Sequence, residues 1–129
     1  MFAELIRYGL VGSLTAIVFA GLIWVLSTVL GGGILATILS YGVAIGVQYI
    51  GHSVFTFKRD PADAPQALKF TLTHLLGVSI SIAIINVLAP TFGLSPHHAA
   101  ALVVCVLASL NFFLFRFWAF TKSPPGAQP

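Results

Sequence analysis

Few residues in this chain can do chemistry, and most of them stand near the ends of apolar runs. In "NFFLFRFWAFTKS", residues 111–123, Asn111 and Arg116 interrupt an aromatic stretch. At a shift of 63 residues, "QYIGHSVFTFKRD", residues 48–60, has the same outline, with Gln48 and His52 as its polar members and Lys58 at its close. Arg7 and Lys69 precede two other apolar runs, and His74 lies about one turn into the second of them. Tyr41, Gln48 and His52 fall at i, i+7 and i+11, one stripe of a helix. Arg pairs bidentately with phosphate oxygens, Lys supplies a point charge, and Asn, Gln and His add hydrogen bonds. Arg116, Asn111, Gln48, His52, His74, Arg7, Lys69 and Lys58 therefore describe a partly shielded layer suited to an anionic, phosphate-bearing headgroup. Each taken alone also has a structural reading. Arg116 could simply anchor its helix, snorkelling its guanidinium to headgroup level and stacking on Phe112, Phe113 or Phe120.

Other chemistries lack their residues. Glu4, Asp60 and Asp63 are the three acidic residues, and none lies inside a long apolar stretch. A carboxylate-based proton-coupling site has no candidate, and neither has metal-dependent glycosyl transfer by paired carboxylates. There is no Gly-rich phosphate loop, and the Ser and Thr residues lack a His-plus-acid constellation. The chain is expected not to be an enzyme and to need no cofactor. His97 and His98 are adjacent, so they point apart on a helix, and no third ligand is near; no metal site is expected. The single Cys105 excludes an intramolecular disulfide. No nucleic-acid partner is expected.

The composition states what must position these residues. Of 129 residues 58% are hydrophobic and 7% charged, against roughly a quarter charged in soluble proteins. Such a chain cannot clothe a water-soluble surface, so it is an integral membrane protein. Four stretches reach the ~20 apolar residues that a spanning helix needs: about 8–30, 34–57, 70–89 and 97–120. Gly31-Gly32-Gly33, "KRDPADAPQ" and "PTFGLSP" separate them. The first run is longer than a signal-peptide core and reads as a retained helix. β-Barrel strands would alternate in polarity, and these do not. The six basic residues all fall at the N-terminus, the central loop or the C-terminal end, which predicts both termini and the central loop in the cytoplasm. Residues 1–122 are read as a single four-helix domain, and 123–129 as a disordered tail.

The chain also matches itself. Arg7-Tyr8 falls on Lys69-Phe70 and Gly31 on Gly93 at a shift of 62 residues; one inserted residue near Pro96 moves the shift to 63. Gln48 then falls on Asn111, Tyr49 on Phe112, Phe55 on Trp118 and Phe57 on Phe120. The prediction is an all-α membrane protein of four transmembrane helices, formed by two parallel-oriented two-helix repeats, 1–60 and 61–122. Small residues four apart (Gly12, Ala16 and Ala20; Gly42 and Gly46; Cys105 and Ser109) are the expected packing faces.

The ending N-F-x-x-x-R-x-W-x-F, made here by Asn111, Phe112, Arg116, Trp118 and Phe120, resembles that of the GtrA-like family. The opening "IRYGLVGSLTA" is similar to the opening of that family as well. The resemblance covers nearly the whole chain except the tail. It implies a role in cell-surface polysaccharide and teichoic-acid glycosylation: translocation of a polyprenyl-phosphate-linked sugar, or of its carrier lipid, across the cytoplasmic membrane. It also leaves open a membrane anchor that presents the lipid to a dolichyl-phosphate-mannose-synthase-like glycosyltransferase. The implied partners are a polyprenyl phosphate, a glycosyltransferase and, since four helices shelter little, further copies of the chain in a dimer or larger homo-oligomer. The family's first-half motif carries Asn and Arg where this chain has Gln48 and Ser53. That departure implies a first-half site that binds more weakly, or only in response to pH.

Overall fold

In hydrocarbon each backbone N–H and C=O must find its partner within the protein, which leaves long apolar segments little choice but helix. The computed structural model describes residues 1–121; Lys122 and the expected disordered tail, 123–129, lie outside them. Its four helices long and apolar enough to cross a membrane are α1 (Phe2–Leu30), α2 (Ile34–Thr56), α3 (Ala64–Thr91) and α4 (Pro96–Ala119). The fold is all-helical in the described residues.

Helix α3 begins a turn and a half before its apolar run. Asp63 precedes it in an extended conformation and accepts from the Gln66 backbone N–H at 3.1 Å, with Pro65 in the first turn. This is N-capping with proline at a position whose N–H would have no partner anyway. Ser95 and Pro96 start α4 in the same way, Ser95 Oγ accepting from the His98 N–H. At its other end α3 runs through Pro90 and stops where Gly93 takes a left-handed φ of 64°. Leu94 N–H then bonds Ala89 O at 2.8 Å and Gly93 N–H bonds Pro90 O at 3.3 Å, a Schellman ending that uses carbonyls left over by the helix.

Three helices contain a π-helical turn: Gly51–Thr56 in α2, Ile84–Leu88 in α3 and Phe115–Ala119 in α4. The i→i+5 pattern closes with Phe57 N–H on His52 O at 2.9 Å and Phe120 N–H on Phe115 O at 2.8 Å. Such turns hold an extra residue without breaking the helix. The turn in α3 lies just ahead of Pro90, which has no N–H to give to the ladder.

The chain divides into two compact units, Met1–Pro61 and Ala62 onward. In unit 1, α2 turns Ala36, Ser40, Ala44 and His52 inward. Small side chains at four-residue spacing let α1 approach closely. The approach is tight at Gly51, where a Cβ would stand 2.9 Å from Val11 Cγ1. The expected stripe of Gly42 and Gly46 is not the packing face: Gly42 is exposed and Gly46 half-buried. Two residues from Ala44 is about 200° around a helix, so both point away from the buried stripe. Cys105 and Ser109 of α4 are likewise exposed.

In unit 2, aromatic rings replace small residues as the contact between helices. Phe70 stacks on Phe115 with centroids 5.1 Å apart, and Phe120 closes edge-on against both. Leu107 of α4 packs over Gly77 of α3, its Cδ2 3.7 Å from where a Cβ would be.

Candidate functional site

The two helices of each unit run antiparallel, so the start of the first and the end of the second meet. In unit 2 this brings Lys69, Phe70 and His74 of α3 to the same end as Asn111, Phe115, Arg116 and Trp118 of α4. Lys69 Nζ donates to Trp118 O at 3.3 Å and stands 6.0 Å from the centre of the Trp118 ring. The last carbonyls of a helix have no partner of their own, and a cation there also faces the negative end of the helix dipole. An ammonium carries three donors, so capacity remains for an anion. Arg116 is half-buried within the π turn, its guanidinium carbon 5.4 Å from the centre of the Phe117 ring. A guanidinium can stack on an aromatic face and pair with an oxyanion through its edge at the same time. His74 packs edge-on to Phe70 at 4.5 Å and lies 6.2 Å from Phe115.

Unit 1 builds a parallel arrangement from different residues. Arg7 stands over the Phe55 ring at 5.9 Å, and Tyr8 stacks on His52 at 4.9 Å with 15° between planes. His52 has no exposed surface; its Nδ1 meets Thr56 Oγ1 at 3.1 Å, and Phe57 lies against its other side. It stands where Phe115 stands in unit 2, as a packing ring. Ser53 occupies the position of Arg116, is fully buried and donates to Tyr49 O at 2.8 Å. Gln48 and Tyr41 line a cleft of ≈ 300 Å³ between α1 and α2, with Gly12, Ala16 and Phe19 on the facing side. Lys58 is exposed just past the end of α2, with a left-handed φ of 54°. Of the expected headgroup residues, the structure thus gathers Lys69, His74, Asn111 and Arg116 at one end of unit 2. Arg7, Gln48, His52 and Lys58 lie toward one end of unit 1.

A family model described as GtrA/DPMS, transmembrane domain, matches residues 7–120. The chain belongs to the GtrA/DPMS transmembrane-domain family. No curated protein and no solved structure matches it. The GtrA/DPMS match begins at Arg7 and ends at Phe120, so it spans the cation of unit 1 and the closing ring of unit 2. Membership, with four spanning helices, makes the chain a multi-pass membrane protein and associates it with lipid-linked sugar glycosylation.

Sequence reasoning missed the aromatic partners. Tyr8, Phe55, Phe70, Phe115 and Phe117 pack against the site's cations and histidines. The sequence placed Tyr8, Phe55 and Phe70 in the repeat without naming their contacts, and Arg116 stands over Phe117 rather than the expected Phe112, Phe113 or Phe120. The available signal was the pairing of a basic-aromatic helix start with an aromatic helix end, repeated twice. Among the described residues no group of three His, Cys, Asp or Glu side chains converges on a point.

Proposed function

We propose that this GtrA/DPMS-family protein translocates a polyprenyl-phosphate-linked sugar, or its carrier lipid, across the cytoplasmic membrane for cell-surface polysaccharide glycosylation. The observation that carries this reading is the end of unit 2, where Arg116 and Lys69 sit among aromatic rings inside helices fit to cross a membrane. A cation at that depth can hold a phosphate whose lipid tail never leaves the bilayer. The protein acts without catalysis, and flipping runs down a gradient kept by enzymes that make the lipid on one side and consume it on the other. Both termini and the central loop lie in the cytoplasm on the positive-inside argument. Two parallel two-helix repeats account for the recurring contacts: Tyr8–His52 and Phe70–Phe115, and Arg7–Phe55 and Lys69–Trp118. Homo-oligomerisation supplies the shelter that four helices lack.

A second reading has one observation in its favour, that the matching family is described as a transmembrane domain. On it the chain anchors and presents the carrier lipid to a glycosyltransferase and moves nothing. Proteoliposomes separate the two. Purified protein should speed the leaflet exchange of a labelled polyprenyl-phospho-sugar well above protein-free vesicles. Exchange at the protein-free rate in the presence of bound lipid would leave the presenting role.

A further inference from the structure

Asn111 Oδ1 and His74 Nε2 are among the polar atoms of unit 2 that are buried without a hydrogen-bond partner among the described residues. A buried polar group left without a bond costs ~1–3 kcal/mol, so each is a place where a ligand can be rewarded. They also lie at the same level. On α4, Leu107, Asn111 and Phe115 follow one another at four-residue steps, and thus share a stripe. Leu107 meets Gly77 and Phe115 meets Phe70. On α3, His74 lies between Phe70 and Gly77. Asn111 and His74 therefore occupy the step between the same two contacts, one on each helix. Each stands five residues further into its helix than the cation beside it, His74 from Lys69 and Asn111 from Arg116, which is about 7 Å.

The chemistry of the pair selects its ligand. Asn111 Oδ1 only accepts, so a phosphate oxygen, itself an acceptor, finds no bond there. A hydroxyl can donate to Asn111 Oδ1 and serve His74 Nε2 in either tautomer, because it both donates and accepts. We propose that Asn111 and His74 form a hydroxyl-recognition site that reads the sugar of the lipid-linked substrate, one step deeper than the cations that hold its phosphate. This rests on the headgroup reading above and divides its residues by role: Arg116 and Lys69 for phosphate, Asn111 and His74 for sugar. It also gives a direction. A lipid-linked sugar at rest faces water, outward of its phosphate, whereas here the sugar lies inward. An inverted headgroup belongs to a path through the bilayer.

The test measures binding, by native mass spectrometry of the full-length protein in detergent. Decaprenyl phosphate is compared with decaprenyl phosphates carrying glucose, mannose, galactose or arabinose. Wild-type protein should bind at least one glycosylated lipid ~10-fold tighter than the bare phosphate, the value of one good hydrogen bond to a buried group. Asn111→Leu and His74→Phe should abolish that preference, bringing affinity for the glycosylated lipids down to that for decaprenyl phosphate, with circular dichroism reporting that both variants are folded. His74→Gln, which keeps an amide nitrogen near the position of Nε2, should retain part of the preference. Arg116→Ala should weaken both classes of lipid alike. Binding of decaprenyl phosphate with no sugar preference in the wild type, or losses in Asn111→Leu equal for both classes, would overturn the hydroxyl site alone. Binding of neither class by the wild type would overturn the headgroup reading beneath it.

Discussion

The His52 ring lies flat against the Tyr8 ring, 4.9 Å away and 15° from parallel, in the place that a pair of phenylalanines fills in the other unit. A histidine at the end of a spanning helix invites a functional account, but its complete burial and its bond to Thr56 describe a packing element. Converting the pair to its counterpart, His52→Phe with Thr56→Ala, should hold stability within ~1 kcal/mol, because shape is kept and both polar groups go together. His52→Ala should cost about 2–4 kcal/mol for the lost ring contacts. Thermal unfolding in detergent, followed by circular dichroism, checks this. Equal losses in the two variants would show that the imidazole is needed for more than its ring.

The contact of Gly51 with Val11 predicts a directional pair of effects. Gly51→Ala places a methyl 2.9 Å from Val11 Cγ1 and should cost about 1–3 kcal/mol. Adding Val11→Ala should recover most of that loss. Gly77→Ala is the control: its new methyl meets Leu107 at 3.7 Å, ordinary contact, and should be neutral or slightly stabilising in a helix. Denaturant unfolding of these three variants and of Val11→Ala alone gives the coupling.

Lys58 holds a left-handed conformation that a glycine adopts at no cost. Lys58→Gly should therefore raise stability by about 0.5–1 kcal/mol. If the lysine is kept for its charge, the same variant should bind decaprenyl phosphate more weakly. A gain in stability with unchanged lipid affinity would remove Lys58 from the headgroup layer.

Arg116→Ala should lower affinity for decaprenyl phosphate ~10-fold or more, since a charge-assisted bond to phosphate is worth about 1.5–3 kcal/mol. Arg116→Lys should recover only part, because the bidentate fork is lost. Native mass spectrometry at two ionic strengths measures both. Unchanged affinity in Arg116→Ala would return the residue to the role of helix anchor.

Orientation can be read with thiol reagents. In a Cys105→Ser background, Asp60→Cys should be labelled by an impermeant maleimide only from the cytoplasmic face, and Phe92→Cys only from the opposite face. The reverse pattern would overturn the positive-inside assignment.

The four spans were legible because a run of ~20 apolar residues has few other fates. Their ends were less so. A polar turn such as Asp63-Ala64-Pro65-Gln66 is helical through capping, which hydropathy does not record. Candidates for the site were legible too, since Arg116, Lys69 and Asn111 stand out chemically against an apolar background. Which of the polar residues face inward was not. Ser53 and His52 are adjacent and both fully buried within the π turn, a local geometry that hydrophobic periodicity does not announce. The packing faces went astray for a related reason. Gly42-x-x-x-Gly46 and Ala36-x-x-x-Ser40-x-x-x-Ala44 have the same spacing, so the helix could not be oriented from small residues alone.

The π turns carry a chronology. A π turn is how a helix absorbs one inserted residue, and on the duplication reading α2 and α4 absorb theirs at the same place, His52 O and Phe115 O closing the matching wide bonds. That insertion is then older than the duplication and was inherited by both descendants. The turn at Ile84–Leu88 has no partner in α1, which is α-helical throughout. Arg7 to Gly31 and Lys69 to Gly93 are equal in length, so this turn marks no added residue and goes instead with Pro90, which gives no N–H to the ladder.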